Sequence, residues 1–151
     1  MADSLRLQFS DDGDGSGELT ASVSANGFAG VGGAWFGVQE LIGFARSLAA
    51  YPLEQPAPAL VGGFFTKESP PILEHEHLGI GVYPVGTRGQ VGVQVRIATE
   101  LWGDDRPERQ HMLRAEVLTT YERLGQFSRD LLSVIDGSLR EATLEREDLA
   151  G

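Results

Sequence analysis

Two of the three histidines stand two residues apart between two carboxylates, in the run Glu74-His75-Glu76-His77, the densest set of ligating side chains in the sequence. In an extended segment residues i and i+2 share a face, so this spacing puts the imidazoles on one side and the carboxylates on the other. Two imidazoles and a third donor would suit a zinc-type ion. If Val82 pairs with Val93 in the strands that follow, His77 faces Ala98 and His75 faces Glu100, which makes Glu100 the third donor. The run adjoins the loop after Pro70-Pro71, however, and the remaining histidine, His111, falls on a different connection. We read His75 and His77 as a solvated strand entrance or a pH-sensitive contact, with no metal and no cofactor expected.

A second run, Asp12-x-Asp14-x-Ser16-Gly17-x-Leu19, has the alternating oxygen donors and bend glycine that open a calcium loop. Its twelfth position is Val23, where such a loop needs a bidentate acid, and both flanks alternate like strands. A solvated hairpin loop explains it. Gly27, Gly30, Gly32 and Gly33 fit neither phosphate-loop spacing, and close backbone approach beside Trp35 and Phe36 accounts for them. The chain has no cysteine, no G-x-S-x-G elbow and no H-E-x-x-H pair, which removes thiol chemistry and leaves catalysis without support.

Those side chains need elements to hold them. Leu5, Leu7 and Phe9 alternate with polar residues, as do Leu19, Ala21 and Val23, with the acidic turn between them, so the first quarter reads as a hairpin. After the Asn26-Gly27 turn, Phe28 to Phe36 reads as a short or bulged strand carrying aromatics into the core. Apolar positions from Val38 to Ala49 recur at three- and four-residue intervals, predicting a helix closed by Pro52. Ala59 to Phe65 is a strand. Leu78–Val85 and Gln90–Leu101 alternate around Gly86-Thr87-Arg88-Gly89, predicting a hairpin with Val82 opposite Val93. Leu113, Ala115, Val117 and Thr119 make a further strand, and Leu124, Phe127, Leu131, Val134 and Ile135 make a second helix capped by Thr119 or Thr120. Leu139, Ala142 and Leu144 would extend that helix before a frayed tail over 145–151.

The expected architecture is a single α+β domain over 1–151, a mainly antiparallel sheet of five to seven strands with two helices packed on one face. Its polar side is the best place for a site. Gly79, Gly81, Gly92 and Ala98 would form a low floor, with Tyr83, Gln94, Arg96, Glu100, Arg114 and Glu116 around it. This is either a shallow ligand groove or a solvated face held by pairs such as Arg96 with Glu116.

A net charge of −10 makes nucleic acid a poor partner and a basic protein a natural one, with solubility as the plainer explanation of the acidic excess. Among the first forty residues the only basic side chain is Arg6, so the acid is concentrated there. The N-terminus has no basic, apolar leader and nothing resembles a membrane span, so a cytoplasmic protein is expected.

Gly32-Gly33-Ala34-Trp35-Phe36, then Leu41-x-x-Phe44-x-x-x-Leu48, then Gly89-x-Val91-x-Val93-x-Val95 with a closing strand and helix, resemble small bacterial immunity proteins that protect against contact-dependent toxins, such as the antitoxin partners of wall-associated tip toxins. The resemblance spans Gly27 to Ile135. It implies a non-catalytic protein that binds and neutralises a toxin domain. The matching positions are core residues, so no functional residue is carried over. A small-molecule site on the polar sheet face, or an enzyme with an unrecognised carboxylate pair, are the other readings.

Overall fold

In the computed structural model, which describes residues 3–149, alternating side chains build three consecutive antiparallel strands, β1 (Ser4–Asp11), β2 (Ser16–Ala25) and β3 (Phe28–Gly37). Every second residue of β2 from Gly17 to Ala25 is buried, the signature of a strand with one wet face. The β2–β3 turn is Asn26-Gly27, with φ of 50° and 85°. Positive φ at both central residues is the type I′ hairpin turn, whose twist matches that of the strands. Then follow α1 (Val38–Ser47), β4 (Ala59–Phe65), β5 (Leu73–Val85), β6 (Gln90–Ala98), β7 (Met112–Thr120), α2 (Tyr121–Ile135) and β8 (Ala142–Glu145). The expected hairpin forms in the expected register, with Val82 opposite Val93.

The α+β class holds, but the strands form two antiparallel four-stranded sheets, ordered β3-β2-β1-β8 and β4-β5-β6-β7, where one sheet of five to seven was expected. Alternation tells a strand which of its faces is buried and is silent on which neighbour it joins. Here α1 and the connector after it carry the chain off the first sheet, so β4 starts a second. The inner faces meet across β3. A Cβ on Gly30 would lie 2.9 Å from Leu113 of β7, one on Gly32 would collide with Ile97 of β6, and Ala34 and Phe36 pack on Gly62 of β4. β3 therefore crosses the second sheet, and its glycines let the two layers close. One continuous core results, from Leu5 and Leu19 through Ile80 and Val95 to Leu131 and Leu144.

The helices pack on each other, with Ser128 Oγ donating to the Ala45 carbonyl at 2.6 Å, and α2 also lies against β1, β7 and β8. Thr120 caps α2 by accepting from Arg123 N–H at 3.3 Å. Two expectations fail. β3 is a regular strand that buries Phe36 but leaves Phe28, Val31 and Trp35 exposed. The segment read as more of α2 is instead β8, paired with β1 from Leu7–Ala142 to Ser4–Glu145. Gly137, at φ 88°, ends the helix, and Ala142 and Leu144 alternate inward. Residues just beyond β8 are also held, for Arg146 N–H donates to Asp3 and Glu147 N–H to Leu118. Asp148 pairs with Arg146 at 3.1 Å, and the last two residues of the expected tail, Ala150 and Gly151, lie outside the described residues. No helix among the described residues is long and apolar enough to cross a membrane.

Candidate functional site

On the outer face of the β4–β7 sheet, a bulge decides which side chains appear. Gly62 pairs with Leu78, but Gly63 pairs with Glu76, leaving His77 as the extra residue. Glu76 thereby reaches Arg96, its two carboxylate oxygens 3.1 and 3.2 Å from Nε and Nη2, while Arg96 Nη1 donates to Gln94 at 3.2 Å. The guanidinium lies over Gly79. Across the ladder, the Tyr83 ring lies over Gly92 and its hydroxyl donates to Glu116. Burial first, then the Glu116 hydrogen bond and charge, push the Tyr83 phenol up to about 12.

These contacts correct the expected pairing of Arg96 with Glu116. Arg96 stands opposite Arg114 in the register, like charges that a direct contact would penalise, and turns instead to Glu76. Two glycines of the expected floor, Gly79 and Gly92, are thus covered by the protein's own Arg96 and Tyr83, while no side chain lies over Gly81. Gln94, Arg96, Tyr83, Arg114 and Glu116 share one face as expected, and Glu76 joins them.

The histidines part company. His77 is buried at 1% exposure, with Nε2 3.0 Å from both the N–H and the carbonyl oxygen of Leu101, under an edge-on contact with Trp102 at 5.0 Å. It is a fastener for the loop after β6, which corrects the solvated half of an expectation that named a solvated strand entrance or a pH-sensitive contact. His75 stacks on Phe64 at 6.0 Å, with Nε2 3.4 Å from the Gly103 carbonyl. β6 ends at Ala98, so the ladder that would have put Glu100 opposite His75 does not extend that far. Among the described residues, no three His, Asp or Glu side chains converge as metal ligands. In the β1–β2 loop, Asp14 accepts from the Ser16 hydroxyl and N–H at 2.7 and 3.0 Å, and Asp11 accepts from Gly13 N–H at 2.7 Å. Those carboxylates shape the turn, and the Ser16 hydroxyl holds Asp14 below the usual carboxylate range.

A separate cleft lies elsewhere. A cleft of about 500 Å³ is lined on one side by Phe28–Gly33 of β3 and on the other by Ile97–Glu100 and His111–Leu113. No β2 residue lines it, so it follows the edge of β3 turned away from β2. Phe28, Val31 and Met112 stand at its rim at 65%, 69% and 75% exposure, more exposed than buried although all three are large and apolar. Glu100 is the one carboxylate in the lining, and no Lys or Arg lines it. Arg114 lines the neighbouring hollow beyond Phe28. Of the side chains expected to meet a ligand or partner, Glu100 lines it, beside Ala98 of the expected floor and Gly30, Gly32 and Gly33 of the glycine run. A signal was present: the ten residues of β3 contain no charged side chain, amide or hydroxyl on either face, unlike the half-polar β1 and β2.

No family model, curated protein or solved structure matches this chain.

Proposed function

We propose that this protein is a non-catalytic binding domain that recognises a basic protein partner, in the manner of the small immunity proteins its sequence resembles. The observation that carries the reading is the apolar rim of Phe28, Val31 and Met112 around an open cleft. Exposed apolar patches rimmed by polar residues mark surfaces that meet other proteins. Charge supplies the second support. From Leu7 to Ala45 the chain has no Lys, Arg or His but carries Asp11, Asp12, Asp14, Glu18 and Glu40, and its one earlier cation, Arg6, is engaged by Glu141 at 2.9 Å. Asp11, Asp12, Asp14 and Glu18 lie on β1, β2 and the loop joining them, so acid gathers on the sheet bearing β3, and a field of that sign speeds encounter with a basic partner and repels acidic ones.

The test is binding to a panel of purified basic toxin domains and to acidic proteins of matched size, at low and high ionic strength. Expected are association with a basic domain that weakens as salt rises, and protection of cells that co-express the pair. Equal affinity for acidic and basic proteins, or none for either, would overturn the proposal.

A further inference from the structure

We infer that the free edge of β3 is where this partner docks, by adding an extended basic segment as a fifth strand to the β3-β2-β1-β8 sheet. The inference rests on the protein-binding reading above and specifies its site and mode. In a two-residue hairpin the residues flanking the turn exchange both backbone hydrogen bonds, and such pairs alternate along the ladder. Ala25–Phe28, Val23–Gly30, Ala21–Gly32, Leu19–Ala34 and Gly17–Phe36 are then the bonded pairs. The N–H and carbonyl groups of Ala29, Val31, Gly33 and Trp35 consequently point away from β2, and no strand among the described residues pairs with that edge.

An unpaired edge is ordinarily protected by a lysine, a proline, a bulge, an inward charge or a covering loop. β3 has no charged residue, no proline and an unbroken register over all ten residues. The cleft keeps space open beside Ala29–Gly33, while Phe28, Val31 and Met112 offer apolar contacts to alternate side chains of an added strand. Charge selects the occupant. A second copy would set two chains of net charge −10 against each other. A Lys- or Arg-bearing strand would instead meet Glu100 in the cleft, and Glu18, whose carboxylate lies beside Gly33, on the outer face.

The probe is an eight-residue peptide alternating valine and arginine, compared with a valine–glutamate peptide and with the basic peptide N-methylated at alternate residues. Each is titrated into the isotope-labelled full chain while amide shifts and hydrogen exchange are followed. The basic peptide should shift and protect the amides of Ala29, Val31 and Gly33. N-methylation, which removes strand donors while keeping charge, should weaken binding at least about tenfold, a loss of about 1.4 kcal/mol. Val31→Pro deletes an outward N–H and leaves the β2 ladder intact, so it should abolish the protection; Val31→Lys serves as a second variant and should weaken binding by repulsion. Salt-sensitive binding that leaves the β3 amides unchanged would overturn the edge proposal while leaving the protein-binding reading standing. No binding, binding indifferent to N-methylation, or self-association in sedimentation that is lost in Val31→Pro, would overturn it as well.

Discussion

Tyr83 and His77 both lie on β5 and use their polar atoms in opposite surroundings. Tyr83 lies across a glycine at a half-open surface, and its proton is retained because the phenolate would be partly desolvated beside Glu116. An unfolded tyrosine titrates near about 10, so between that pH and about 12 the unfolded state loses a proton that the folded state keeps. The stabilisation is complete below the lower value and disappears as pH rises through the upper one. Ultraviolet titration should show one of the three tyrosines ionising late, and Tyr83→Phe should remove that late step without altering the other two. For His77 the quantity at stake is the Leu101 amide, which is buried with it. His77→Leu keeps the packing but leaves that N–H without its acceptor, so urea unfolding should report a loss of about 1–3 kcal/mol.

At the scale of elements, the closeness of the two sheets depends on the missing side chain of Gly32. Gly32→Val would drive a branched group into Ile97 and should cost about 1–3 kcal/mol. Combined with Ile97→Ala, which makes room, the double variant should be more stable than the sum of the single losses, a non-additivity measurable by a thermal or urea cycle. Thr120→Ala should cost about 1 kcal/mol through loss of the α2 cap, and it also frees Glu147, whose carboxylate the Thr120 hydroxyl holds below its usual range. Strand and helix positions were readable because each presents one apolar stripe at a period of two or about 3.6: β4 has its expected bounds, and the β5–β6 register matches from Leu78–Ile97 to Val85–Gln90, although β6 stops at Ala98 instead of Leu101. Pairing was not readable, since the same stripe on β3 serves equally for one sheet or two. Leu139 and Ala142 are three apart, as in a helix, and Ala142 and Leu144 two apart, as in a strand, so a run this short fits either period and only contact with β1 settles it as a strand. The polar face was legible as a set of residues, but its bonding was not: a single extra residue at His77 exchanges which of Glu76 and His77 reaches Arg96, and bulges leave no mark in alternation. The β3 cleft needed the opposite kind of attention, to a strand lacking any polar side.

For the molecule as a whole, the strand that completes the acidic sheet comes from the far end of the described chain. Leu144 is 1% exposed within the common core, and Leu144→Ala should cost about 2–5 kcal/mol, a large share of the about 5–15 kcal/mol that holds a domain of this size. A denaturation midpoint lowered to that extent, with an unchanged urea slope, would place β8 inside the single cooperative unit; a change in slope would instead mark it as a separately melting flap.

The pairing of β1 with β8 also sets a timetable. A ribosome delivers Leu7 early and Ala142 late, so throughout most of synthesis β1 carries one satisfied edge, toward β2, and one bare edge. Joining elements so distant in sequence imposes a large closure entropy and slow assembly. The nascent chain therefore reaches its mature topology only once Ala142–Glu145 has emerged from the exit tunnel.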